Sequence, residues 1–109
     1  MYVQIDLAPH PPVVTLEDPN NTKQFHVAVM NGTTPEADFG LIFGALVDAA
    51  AGRLEGDDAY ITIDAVRRMA RDRVQEDWNE EFDAMLSFAK KKGWLDEGSN
   101  AIKAHIERP

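Results

Sequence analysis

The chain has 109 residues, of which 44% are hydrophobic and 28% charged, so it is long enough for one globular domain and too short for two ordinary ones. It contains no cysteine, which excludes disulfide scaffolds, thiolate metal sites and cysteine nucleophiles. Its formal net charge of −8 argues against general electrostatic attraction to nucleic acid or to an anionic membrane.

Residues 1–33 are predicted to form strands and loops. Apolar residues alternate with other side chains over residues 3–7 and again over residues 25–30, which is the period of a half-buried strand. Residues 13–16 are a third, shorter candidate strand. A proline-rich segment precedes it and a turn at residues 18–21 follows it, because proline and the Asp-Pro-Asn-Asn sequence both interrupt strand pairing.

Residues 34–93 are predicted to form three helices. The first begins at Thr34, a capping residue followed by Pro35, or at Thr33, which has capping-box spacing to Glu36. It is expected to end at Gly52 or Gly56. Its apolar stripe, at spacings of three and four, consists of Phe39, Ile42, Phe43, Leu46 and Ala50.

Residues 57–61 are predicted to connect the first helix to the second, with a short extended piece at Tyr60 and Ile61. The second helix is expected to run from a cap at Thr62 to about Val74. Its predicted inner face consists of Val66, Met69, Ala70 and Val74.

The third helix has the most distinct boundaries. Asp77 and Glu80 have the spacing of a capping box, and three lysines at residues 90–92 lie where the helix dipole favours positive charge. Gly93 is predicted to stop the helix in the left-handed conformation, and residues 94–107 to form a β-hairpin with a loop at residues 97–100. The predicted buried face of this helix is Trp78, Phe82, Met85 and Ala89.

These elements predict a single α+β domain over residues 1–109, made of N-terminal strands, three helices and a C-terminal hairpin. The element order of residues 34–107, with the Lys-Lys-Gly-Trp-Leu-Asp passage from the third helix into the hairpin, resembles a winged helix. The alternative is a general α+β domain in which the N-terminal strands and the C-terminal strand share one sheet and the helices pack on one face.

The winged-helix resemblance implies a DNA-binding transcriptional regulator whose third helix lies in the major groove. The first turns of that helix carry Asp77, Glu80, Glu81 and Asp83, which would repel a polyanion. The winged-helix shape is therefore compatible with a chain that does not bind nucleic acid.

Arg67, Arg68 and Arg71 lie on one side of the predicted second helix and are a candidate site for an anion or an acidic partner. The alternative is local pairing with carboxylates four residues away. The pairs with that spacing are Asp64–Arg68, Arg68–Asp72 and Arg73–Asp77.

No residue pattern predicts catalysis, a metal or a cofactor. Neither Ser87 nor Ser99 has the context of an activated nucleophile, and the acidic residues 72–83 lack the spacing of a calcium loop, which favours a solvated face. His26 and His105 would form a weak metal site or a pH-sensitive pair if their strands were neighbours; the alternative is two separate surface histidines.

Leu41, Ala45, Leu86 and Phe88 are apolar residues outside the predicted buried stripes, and they are a candidate partner surface unless the N-terminal strands cover them. Gly40 and Gly44 are expected to permit close approach of another backbone element.

The leading hypothesis is a non-enzymatic interaction module that forms a homo-oligomer or binds another protein. A small-ligand carrier or enzyme with a pocket between the strands and the helices is a weaker alternative.

The sequence also predicts where the protein resides. No basic start is followed by an apolar run, and the apolar residues 39–51 are too few to span a bilayer. We therefore expect a cytoplasmic protein without a membrane partner.

Overall fold

A computed structural model describes residues 1–108, which form three helices and seven strands, and it confirms the α+β class. All seven strands belong to one mixed sheet. In chain order the elements are β1 (Tyr2–Asp6), β2 (Val13–Glu17), β3 (His26–Met30), α1 (Pro35–Asp48), β4 (Gly52–Glu55), β5 (Asp58–Thr62), α2 (Ile63–Ala70), α3 (Trp78–Lys91), β6 (Leu95–Asp96) and β7 (Ala101–Glu107).

The sheet has the strand order β2-β1-β3-β7-β5-β4, and β6 pairs with the first residues of β7. The β1–β3 and β3–β7 pairs are parallel, whereas the remaining pairs are antiparallel. The last strand therefore lies in the middle of the sheet and joins the N-terminal strands to the β4–β5 hairpin. This is the shared sheet of the general α+β alternative, and the winged-helix resemblance is not confirmed.

One face of the sheet forms the core with the helices. Val3, Ile5, Val27 and Ile61 point to this face and are fully or almost fully buried, together with Phe82 from α3. The side chains that alternate with them on the same strands remain partly exposed. The alternation read from the sequence thus separates a buried sheet face from an open one.

Two of the predicted helix caps are confirmed. The hydroxyl of Thr34 accepts a hydrogen bond from the amide of Ala37, and the hydroxyl of Thr62 accepts one from the amide of Ala65, each at 3.2 Å. Asp77 precedes α3 but makes no side-chain capping bond, so the predicted capping box does not form. Gly93 adopts φ 77° after α3, which confirms the left-handed stop.

The ends of α1 and α2 differ from the prediction. α1 ends at Asp48 rather than at a glycine, because Ala50 adopts the left-handed conformation (φ 51°) and the amide of Ala51 bonds the carbonyl of Leu46 at 2.8 Å. α2 ends at Ala70, short of the predicted Val74.

Gly52 begins the unpredicted strand β4 instead of ending the helix. Its φ is 149°, and a Cβ at this position would collide with the carbonyl oxygen of Tyr60 on the paired strand. Glycine here allows the chain to pass directly from α1 into the β4–β5 hairpin.

Candidate interaction surfaces

Two of the three arginines of the predicted anion site, Arg67 and Arg68, have partners inside the molecule, whereas Arg71 is exposed at the end of α2. Arg67 donates to Asn79 Oδ1 at 3.1 Å and to Asp83 Oδ1 at 2.9 Å, and its guanidinium lies 4.9 Å from the centre of the Phe82 ring. Arg68 donates to the backbone carbonyl of Ala49 at 2.8 Å. Two of the three guanidinium groups are therefore engaged inside the molecule.

The local pairs expected for these arginines are absent from residues 1–108: none of the three predicted pairs at four-residue spacing forms an ion pair. Arg73 instead donates to the carbonyl of Leu16 at 2.8 Å, on the edge strand β2. The arginines thus connect α2 and the segment after it to distant elements rather than to their helical neighbours.

The exposed face of α1 is apolar. Phe39 and Phe43, which the sequence pattern placed in the core, are 50% and 43% exposed, and their rings lie 6.2 Å apart. Val47 continues the same row and is also exposed. The helix packs on the core with its other side, through Ile42 and Leu46. These two residues of the predicted stripe are therefore buried, whereas Phe39 and Phe43 are not.

Two glycines lie beside this aromatic row. Gly40 is about 200° around the helix from the buried Ile42, so it points away from the core. In the part of the chain that the structure describes, no neighbouring element approaches within 4 Å of a Cβ built at Gly40 or Gly44. We call the residues Ala37, Phe39, Gly40, Leu41, Phe43, Gly44 and Val47 the α1 face; Gly44 is half-buried, the others are exposed, and none of them is charged.

A depression of about 240 Å³ adjoins the α1 face at Phe39. Ile42, Leu54 and Ile106 line its apolar part, and Arg108 lies at its border. Leu54 therefore extends the apolar surface of the helix onto the β4–β5 hairpin, where Asp57 also borders the depression.

Asp38 is the buried charged residue of α1, with 3% exposure. Its Oδ2 atom accepts from Arg108 Nη1 at 2.7 Å and from the amide of Thr33 at 2.8 Å. The bond from Arg108 holds the pKa of Asp38 below its ordinary value of 3.8, against the opposing effect of burial. The pair fixes the start of α1 on the sheet, and nothing in the local sequence indicated it.

A second exposed apolar cluster lies where α3 meets the C-terminal hairpin. Phe88 and Trp94 are 52% and 44% exposed, and their rings meet edge to face at 5.8 Å. A cavity of about 80 Å³ lies beside them, lined also by Phe25, Lys23 and Lys103. We call these five residues, together with Lys90, Lys91 and Lys92 at the end of α3, the lysine–aromatic surface.

The predicted partner residues do not form one surface. Leu41 belongs to the α1 face and Phe88 to the lysine–aromatic surface. Ala45 is buried because it lies on the same side of α1 as Ile42, so its assignment to an exposed partner surface is wrong. Leu86 is half-buried and packs against the core.

The histidines lie on the open face of the sheet. The β3–β7 register places His26 and His105 at the same level of neighbouring strands. His26 stacks on Tyr2 at 4.9 Å, and its Nε2 atom lies 3.2 Å from Glu107 Oε2. No group of three or more potential ligands within residues 1–108 could hold a metal ion.

The two candidate nucleophiles have ordinary surroundings. Ser87 is exposed on α3, and Ser99 donates to Asp96 Oδ2 at 2.7 Å while accepting from Arg53 Nη1 at 2.8 Å. Hydrogen bonds from the Ser99 hydroxyl and then from Arg53 lower the pKa of Asp96. The same hydrogen bonds stabilise the turn between β6 and β7. Asp96 is therefore not tuned to accept a proton from Ser99 near neutral pH.

Comparison with known proteins adds no relative: no family model, no curated protein and no solved structure matches this chain. Among the described helices, none combines the length and the apolar character that crossing a membrane requires. Function has therefore to be inferred from the surfaces.

Proposed function

We propose that this protein is a non-enzymatic interaction module that self-associates through the α1 face. The observation that carries the proposal is an exposed helix surface over residues 37–47 without an exposed charged residue, in a chain that is 28% charged. The exposed carboxylates of α1, Glu36 and Asp48, lie at its two ends. The outer face of a surface helix is normally polar. Phe39, Leu41, Phe43 and Val47 are all more than 40% exposed, so this face gains most from burial against a second surface.

The shape of the α1 face supports a second copy as its occupant. Phe39, Phe43 and Val47 form a ridge at four-residue spacing, and Gly40 and Gly44 form a parallel groove beside it. Helices pack by placing such ridges into grooves of the same pitch, at a crossing angle of about −50°. Because one helix carries both parts, a twofold axis would place the ridge of each copy in the groove of the other.

The two glycines are not explained by the isolated fold. A glycine inside a helix costs roughly 0.5–1 kcal/mol relative to alanine, and here nothing in residues 1–108 occupies the space that each leaves. Close approach of a second backbone gives these positions a physical role.

The rival DNA-binding function receives less support from the side chains. Arg67 is held by Asp83 and Arg68 by a backbone carbonyl, so a duplex would have to compete for both. The carboxylates of Glu80 and Glu81 remain in the first turn of α3.

The proposal is tested by sedimentation of the full chain over a concentration series. A contact made by one helix and its adjoining hairpin falls among the smaller interfaces, below roughly 1,200 Å², so we expect a dimer that dissociates in about the micromolar range. Phe43→Glu would place two like charges at the twofold contact and should weaken the dimer at least about tenfold.

The matched control is Phe88→Glu, which alters a similarly exposed phenylalanine on α3 and should leave the dimer intact. The proposal is wrong if the wild-type chain sediments as a monomer throughout. It is also wrong if both variants weaken the dimer equally.

A further inference from the structure

We propose that the lysine–aromatic surface binds an acidic segment of another protein that carries one aliphatic anchor side chain. This proposal does not rest on self-association, because the lysine–aromatic surface shares no residue with the α1 face.

The first observation is the distribution of lysine. The chain has five lysines, and three of them lie at the cavity or its aromatic border: Lys23 and Lys103 line the cavity, and Lys92 Nζ is 5.5 Å from the centre of the Phe88 ring. Lys90 and Lys91 precede Lys92 at the end of α3. Attraction to the negative end of the α3 dipole accounts for the three at the helix terminus. It does not account for Lys23 and Lys103, which come from other parts of the chain and line the same cavity.

The second observation is that internal carboxylates satisfy only part of this charge. Lys90 pairs with Glu97 at 3.0 Å and Lys103 with Asp58 at 3.6 Å, and these four side chains are between 32% and 68% exposed. Such exposed pairs are worth at most about 1 kcal/mol and exchange readily for other carboxylates. Lys23, Lys91 and Lys92 form no ion pair within residues 1–108.

The third observation is the cavity, which selects the anchor. Phe25, Met85, Ala89 and Ile102 provide an apolar lining, with Trp94 and Phe88 at its side. Its volume of about 80 Å³ suits one aliphatic side chain. It is smaller than the roughly 150 Å³ that accommodates a benzene ring, which disfavours a nucleobase.

Charge and shape together favour a peptide over a nucleic acid. A single strand would have to extend past the carboxylates on α3, such as Glu81, which lies two turns before Phe88. An acidic peptide needs only a short contact, in which its carboxylates reach the unpaired lysines while its aliphatic side chain enters the cavity.

The test uses a short synthetic peptide of aspartate and glutamate around one central leucine. It is titrated into the isotope-labelled full chain and followed by amide chemical shifts. We expect saturable shifts at Phe88, Trp94 and Lys103, and at least about tenfold weaker binding when serine replaces the leucine.

Charge-reversal variants locate the site. Combining Lys91→Glu with Lys92→Glu should weaken binding about tenfold, and Lys23→Glu, which lies outside any helix, should weaken it in the same direction. The control Arg71→Glu makes the same change of charge as Lys23→Glu, on an exposed residue at the end of α2, and should leave the affinity unchanged.

Three results would overturn the proposal. These are equal binding of the leucine and serine peptides, an equal loss of affinity in the Arg71→Glu control, and tighter binding of a single-stranded oligonucleotide than of the peptide. None of them alters the sedimentation experiment on the α1 face, so the two proposals fail separately.

Discussion

Asp38 and Arg108 show how single residues set the geometry of the α1 face. The carboxylate is held under the first turn of α1 by a side chain 70 residues away, so the exposed row that begins at Phe39 is fixed relative to the sheet. Gly32 leaves room for this pair, because a Cβ there would displace the Asp38 carboxylate or the Arg108 guanidinium. Since the pairing is long-range, only the folded chain reveals it.

The residues that were predicted correctly act locally. Thr34, Thr62 and Gly93 each perform their role with backbone groups a few residues away. Asp38, Arg73 and Gly52 act through partners on other elements, and no spacing in the sequence specifies those partners.

At the residue scale, the Asp38 pair predicts acid sensitivity. The pKa of Asp38 in the folded chain lies below its ordinary value, so the unfolded chain takes up the proton more readily. The stabilisation is therefore complete above about pH 4 to 5 and is lost as the pH falls through the folded pKa. Asp38→Asn should lower the free energy of unfolding at neutral pH. It should also make that free energy fall less steeply as the pH decreases.

The measurement is urea unfolding of both chains at a series of pH values. The control is Asp48→Asn, which changes an exposed carboxylate at the other end of α1. Its free energy of unfolding should depend on pH with the same slope as that of the wild-type chain. An unchanged slope for Asp38→Asn would contradict this role for the pair.

At the scale of elements, α1 shows why its orientation was mispredicted. Apolar residues occupy several sides of this helix, so the three-and-four spacing matched both the aromatic row and the side that is actually buried. The buried side includes Asp38, a residue type that a hydrophobic pattern does not select, and Ala45, which the predicted stripe left out. The β4–β5 hairpin was missed because Gly52 also fits a helix stop.

The glycines of α1 give a prediction in which stability and association change in opposite directions. Gly40→Ala and Gly44→Ala should each raise the free energy of unfolding of the monomer by roughly 0.5–1 kcal/mol. Both should weaken the dimer, since a methyl group would enter the groove that receives the partner's ridge. Thermal melts of dilute protein and sedimentation at higher concentration measure the two effects.

Ser87→Ala on α3 is the matched control for these substitutions, because it improves helix propensity at an exposed position away from the α1 face. It should leave the dimer unchanged. If alanine at residues 40 and 44 stabilises the monomer and leaves association intact, the glycines have no part in an interface.

On the scale of the whole molecule, the two proposed surfaces differ from the rest of this acidic chain in their charge. The net charge of −8 keeps copies of the chain apart at long range, so association depends on an area where the charge is absent. The α1 face is the area that we propose for self-association, and the lysine–aromatic surface is the one that we propose for an acidic partner. A module with these two surfaces would bring copies of itself to an acidic partner.

The class of the fold could be predicted from the sequence, because strand and helix periods are local. The strand order could not be predicted, since the central position of β7 depends on pairings between the two ends of the chain. The same limit applies to the lysine–aromatic surface, because its lysines come from three separate segments.

The most direct test of self-association through the α1 face is an isotope-filtered nuclear Overhauser experiment on a mixture of labelled and unlabelled chains. We predict cross-peaks between the ring protons of Phe39 and Phe43 in one copy and the α protons of Gly40 and Gly44 in the other. Cross-peaks that involve only other surfaces, or none at a concentration where the chain sediments as a dimer, would contradict the account.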